Sequence, residues 1–94
     1  MKLDKDARTL LLDLDSDWDS FEQDIQPWLA RLELQVHGKD SGADRHQWQV
    51  SFEGTELRLE FEGLGDSTWL AADDDEGLEV LTFLYGWLQR QPLP

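Results

Sequence analysis

Acidic side chains are the residues here whose types and spacing could do chemistry. Asp13, Asp15, Asp17, Asp19 and Asp24 stand at positions 1, 3, 5, 7 and 12 of a stretch that mimics a calcium-binding loop. Carboxylate oxygens so spaced suit a hard divalent cation. The sixth position, where such a loop needs glycine for its sharp turn, is Trp18, and a ligand position falls on Phe21. A denser cluster is Asp73-Asp74-Asp75-Glu76. Four adjacent carboxylates repel one another, and a divalent cation or a basic partner would relieve them. A local role also fits, because acids at a helix start complement its positive end, each by about 0.3–1 kcal/mol. His37 and His46 flank a loop between two strands, where Asp40 or Asp44 could complete a metal site; exposed polar residues across a loop are the simpler reading. No serine–histidine–acid set can be assembled, and Gly63-Leu64-Gly65 is too short and too acidic in its setting to cradle a phosphate.

Leu11-Leu12-Asp13-Leu14-Asp15-Ser16 resembles the first motif of haloacid-dehalogenase-type phosphotransferases over these residues. The resemblance implies a nucleophile and an acid/base, Asp13 and Asp15, beside magnesium. The sequence departs from that pattern in having Ser16-Asp17 where the family carries threonine or valine. It also has no companion lysine motif and too short a chain for that fold. The same acids, Asp15 to Asp19, suit the capping of a helix start. Asp13, Asp15 and Asp17 therefore stand as candidate ligands of a divalent-cation-dependent enzyme or sensor, with no metal or other cofactor required by the chain as a whole.

These residues need elements to hold them. Thr9 to Leu14 is a short apolar run, read as a strand covered on both faces and so central or next to centre. Ser16 or Asp17 caps a helix whose Trp18, Phe21, Ile25, Trp28, Leu29 and Leu32 fall in an arc of about 100°. Pro27 kinks or breaks it near residues 23–26. Leu34 and Val36 alternate with polar residues as a half-buried strand, and residues 38–44 read as a loop. Two alternating runs, residues 47–53 and 56–62, form a hairpin about Gly54-Thr55. Its apolar face, with Leu34, Val36 and Trp69, is expected to line the core. Residues 67–71 make a short strand. The last helix, from Gly77 to Arg90, spreads apolar side chains over about 220°, where a helix on one sheet needs about 100°. Val80, Phe83 and Trp87 are the surplus.

The expected fold is α+β: a two-layer sandwich with a mostly antiparallel sheet of four to five strands and two helices on one face. The order is β-α-β-β-β(short)-α, and its first unit can be a right-handed crossover between parallel strands. Ninety-four residues make one domain, 1–94, with 1–8 as a frayed lead-in. There is no cysteine, which excludes disulfides, thiolate zinc sites and cysteine nucleophiles. No signal-like segment or membrane-length apolar run is visible, so a cytoplasmic location is expected.

Twenty-one acids against eight bases leave a formal net charge of −13. That charge repels nucleic-acid phosphates and anionic lipid, so neither nucleic acid nor membrane is an expected partner. In size, acidity and its Trp-containing hairpin the chain resembles small acidic gammaproteobacterial proteins of an uncharacterised family of unknown function. The resemblance implies no activity, catalytic residue or cofactor. The residues favour a non-enzymatic interaction module, with Val80, Phe83 and Trp87 as its contact and Asp73, Asp74, Asp75 and Glu76 steering a basic partner. Homodimerisation through the same helix is the simplest variant. Two alternatives stand beside it. One is the cation-dependent enzyme or sensor. The other is a nucleic-acid mimic that inhibits a basic protein through Glu53, Glu56, Glu60 and Glu62, a row that Arg58 and Arg45 interrupt.

Overall fold

The computed structural model describes residues 1–90. Gln91-Pro92-Leu93-Pro94, whose prolines are expected from sequence to end the last helix, lies outside them. Six strands form one sheet: β1 (Lys2–Asp4), β2 (Thr9–Leu12), β3 (Gln35–Ser41), β4 (Arg45–Phe52), β5 (Thr55–Glu62) and β6 (Ser67–Ala71). Their order across the sheet is β1-β2-β6-β5-β4-β3, and every neighbouring pair is antiparallel.

Alternation of apolar and polar residues sets the central register. Trp48 stands opposite Leu59 and Val50 opposite Leu57 on the inner face, while Gln47 faces Glu60 and Gln49 faces Arg58 on the outer face. The β4–β5 turn is Glu53-Gly54, both with positive φ (47° and 87°), as a two-residue hairpin of type I′ requires.

The helical crossover after β2 breaks in two. Helix α1 (Phe21–Asp24) ends at Ile25, and α2 (Gln26–Arg31) begins there, with Pro27 in its first turn where a missing N–H is tolerated. Helix α3 (Asp75–Arg90) buries Gly77, Leu81, Leu84 and Leu88 at helical spacing. All three helices lie on one face of the sheet and share one core. Phe21, Ile25 and Leu32 from the crossover and Leu81, Leu84 and Leu88 from α3 meet Leu10, Trp48, Leu59 and Leu70. Each large side chain so buried contributes about 1.5–3 kcal/mol.

Several expectations need correction. Residues 1–8 are not a frayed lead-in, since Lys2–Asp4 pairs with β2 as an edge hairpin. Strand β2 is next to that edge and covered on one face only: Leu10 and Leu12 are buried, while Leu11 is exposed. It does not pair with β3. The two run in the same direction, but β6, β5 and β4 separate them, so the crossover spans the sheet without joining parallel neighbours. The crossover helix starts at Phe21 rather than near Asp17. The loop expected at 38–44 is largely strand, because β3 runs on to Ser41 past a bulge between Val36 and Gly38. Val36 is exposed, and Trp69 stands opposite Leu11 on the outer face, where Leu70 and Thr68 take the inner positions. Among the described residues no helix is long and apolar enough to cross a membrane.

Candidate functional site

Of the three residues expected on the surplus face of α3, the fold treats each differently. Val80 and Trp87 are half-buried against the core, and Phe83 is 52% exposed. The C-terminal end of α2 brings the Arg31 guanidinium over the Trp87 ring, 5.9 Å from its centroid. The end of β4 brings Phe52 to Phe83, ring centroids 5.8 Å apart. Between them runs a groove of about 370 Å³ with an aromatic floor of Phe52, Phe83 and Trp87. Glu33 and Glu53 stand in its wall with Arg31.

Both glutamates occupy unusual backbone. Glu33 (φ 54°) follows α2, where Leu34 N–H donates to Leu29 O at 2.9 Å and Glu33 N–H to Ala30 O at 3.2 Å. That pair of bonds is a Schellman motif, and its left-handed residue is most often glycine. Glu53 (φ 47°) takes the first turn position of the β4–β5 hairpin, where asparagine or glycine fits best. Neither backbone position favours glutamate.

The acid clusters are engaged locally. The Asp74 carboxylate accepts the Gly77 N–H at 2.8 Å and so caps α3. Asp73 pairs with Arg58 at 3.0 Å, Asp75 pairs with Arg8 at 2.9 Å, and Glu76 accepts from the Thr55 hydroxyl at 3.2 Å. The Met1 ammonium holds Asp13 at 2.6 Å. Asp17 accepts from the Ser20 N–H and hydroxyl, both at 2.9 Å, and these bonds hold its carboxyl below the usual carboxylate range. Asp15 is exposed. Among the described residues no three histidine, aspartate or glutamate side chains come together as metal ligands.

The histidines part company. His46 points inward, with Nδ1 bonded to the Ser41 hydroxyl at 2.8 Å and its ring stacked between Trp18 and Phe21. His37 meets the Ser51 hydroxyl at 2.6 Å, and Ser51 stands opposite Glu56 on the outer-face register, so the two rings share no site. Trp28 and Trp48 are core residues as expected, but Trp18 lies at the surface as a lid on His46. The row of glutamates on the outer face is broken up. Glu60 is nearly buried between Arg45 (3.4 Å) and Arg58 (3.8 Å), Arg45 reaches Glu62 at 4.0 Å, and Glu53 sits in the turn.

Sequence reasoning located the α3 residues of the groove but missed Phe52, Glu33 and Glu53 as its other side. The turn expected at Gly54-Thr55 is one residue earlier, at Glu53-Gly54, and its place beside α3 follows only from the sheet order. Residues 1–89 match a family described as a protein of unknown function (DUF3630), and the chain belongs to that family. No curated protein and no solved structure matches it.

Proposed function

We propose that this DUF3630 protein is a bacterial, cytosolic, non-enzymatic interaction module that works by contact through the groove of Phe52, Phe83 and Trp87. The observation that carries this reading is Phe83: a large aromatic side chain, half in water, beside a second phenylalanine and a half-buried tryptophan. Leaving such a patch wet forgoes hydrophobic stabilisation that a partner would recover, and aromatic anchors in a shallow pocket dominate many interfaces. Val80 extends the patch one turn toward the N-terminus of α3. Asp73, Asp74, Asp75 and Glu76 add to the negative field there, despite their local bonds, and speed the approach of a basic surface.

The test is site-specific photo-crosslinking from position 83, with position 64 as a control because Leu64 is 81% exposed. Discrete crosslinked species from position 83 and none from position 64 support the reading. A reagent at 83 that captures neither another protein nor a second copy sinks it. The same protein run by light scattering, wild type against Phe83→Ser, tells self-association from a foreign partner.

A further inference from the structure

We propose that the occupant of the groove is a basic amphipathic segment of another protein, with an apolar side chain seated between Phe52 and Phe83 and lysine or arginine paired with Glu33 and Glu53. This rests on the reading of the groove as the contact surface. Its argument is the identity of the two wall residues. Both sit at left-handed backbone positions where glycine or asparagine would serve the fold better, and glutamate stands at each. Neither acid helps build the turn that carries it, since the Schellman bonds at Glu33 and the ladder closing at Glu53 are made by backbone. What the two share is the groove wall.

Charge then selects the occupant. Arg31 supplies one positive charge to the same groove and stacks over Trp87, so the wall remains net negative. Glu79 and Glu76 lie one and two turns before Phe83 on α3, close to its exposed side. A second copy would bring another formal charge of −13 against this surface, and nucleic acid or anionic lipid would be repelled by the same acids. A helix with leucine-type anchors and flanking cations meets both the aromatic floor and the carboxylates.

The probe is a synthetic helical peptide of about fourteen residues with leucines at i, i+4 and i+7 and lysines beside them. Its counterpart carries glutamate for each lysine. Binding is read from amide shifts in the ¹⁵N-labelled protein. The lysine peptide is expected to move the signals of Phe83, Trp87, Glu33 and Glu53, and the glutamate peptide to move none. Glu33→Asn with Glu53→Asn is expected to weaken binding at least about fivefold, as two partly desolvated ion pairs imply, while the protein melts no lower than wild type. Asp15→Asn with Asp19→Asn removes the same charge elsewhere and is expected to leave binding unchanged.

Equal weakening by both double variants would mean general charge attraction and would overturn the proposal, as would wild-type affinity in Glu33→Asn/Glu53→Asn. If Phe83→Ser abolishes binding and the glutamate variants do not, the groove stands as contact surface and the ion pairing falls. If the lysine peptide leaves the groove signals unmoved, the basic occupant is overturned, and crosslinking from position 83 separately decides whether the groove is a contact surface. A dimer at millimolar protein that Phe83→Ser splits would make a second copy the occupant and overturn the proposal.

Discussion

The Trp18 indole lies flat on the His46 imidazole, ring centroids 3.9 Å apart and planes 15° from parallel. Phe21 stacks on the other side at 5.2 Å, and Phe61 closes the pocket at 5.9 Å. His46 bonds Ser41 through Nδ1, while Nε2 is buried without a hydrogen-bond partner among the described residues. The pocket therefore uses the imidazole mainly as a flat ring. His46→Phe is expected to change stability by less than about 1 kcal/mol, because it keeps the stack and removes an unpaired buried nitrogen. Trp18→Ala is expected to cost about 2 kcal/mol through lost stacking and uncovered ring area. Urea denaturation of both variants checks this, and a larger loss from His46→Phe than from Trp18→Ala would show that the Ser41 bond governs the pocket.

Two glycines of α3 are expected to respond in opposite ways to alanine. A Cβ at Gly77 would stand 2.7 Å from the Ala72 Cβ and 3.4 Å from Leu57, at the point where the Asp74 carboxylate caps the helix. Ala72 is a short side chain with no freedom to swing aside, so α3 itself must shift. At Gly86 a Cβ meets only the end of Arg90 at 3.6 Å. Gly86→Ala is expected to stabilise by about 0.5–1 kcal/mol, the ordinary helix preference. Gly77→Ala is expected to destabilise by about 1–3 kcal/mol despite that preference, since overpacking outweighs it. Thermal unfolding of the two variants decides, and a gain at both sites would mean that α3 is free to slide on the sheet.

What the sequence made legible follows from how far each element's signal is local. The β4–β5 hairpin could be read because Trp48, Val50, Leu57, Leu59 and Phe61 alternate and the turn chemistry sits between them. The break near Pro27 could be read because proline acts on its own backbone. Strand β1 could not, since Lys2-Leu3-Asp4 holds one apolar residue and becomes strand by pairing with β2. The outer half of β3, Lys39 to Ser41, has no apolar residue, and the bulge before it shifts the phase. Trp69 takes the outer face and not the expected inner one because Ser-Thr-Trp-Leu-Ala offers two registers, and the neighbouring Leu10 and Leu59 choose Leu70. The groove has the same origin. Phe83 and Trp87 were visible as surplus on one helix, whereas Phe52, Glu33 and Glu53 reach them only through the folded chain.

Asp17 gives an expectation with a definite sign. Its carboxylate accepts first from the Ser20 backbone N–H and then from the Ser20 hydroxyl, and both favour the charged form. Its folded pKa therefore lies below the unfolded value of about 4. A depressed carboxylate contributes stability above that unfolded value, and the contribution is lost as pH falls through the lower, folded one. Ser20→Ala removes the hydroxyl bond and leaves the larger backbone bond. The Asp17 titration, followed by its side-chain carbon resonance, is expected to move up in Ser20→Ala yet stay below that of an unstructured aspartate. Identical titrations in wild type and Ser20→Ala would show that the hydroxyl bond does not persist in solution.

The left-handed glutamates can be tested on the protein alone. A left-handed backbone costs an ordinary L-residue about 1–2 kcal/mol, and glycine or asparagine avoids much of that. Glu53→Asn creates an Asn-Gly pair, the favoured dipeptide for a type I′ hairpin, and Glu33→Gly places glycine at the left-handed position of the Schellman motif. Each is expected to raise stability by about 0.5–1 kcal/mol, with the gains additive because the two turns are built by separate backbone bonds. Chemical denaturation of the single and double variants measures this. If either variant is less stable than wild type, that glutamate has a stabilising role within the fold and no outside contact is needed to explain it. If both are more stable, the chain carries two residues that its fold alone does not favour. Both line one aromatic groove, which is where a partner's selection would act.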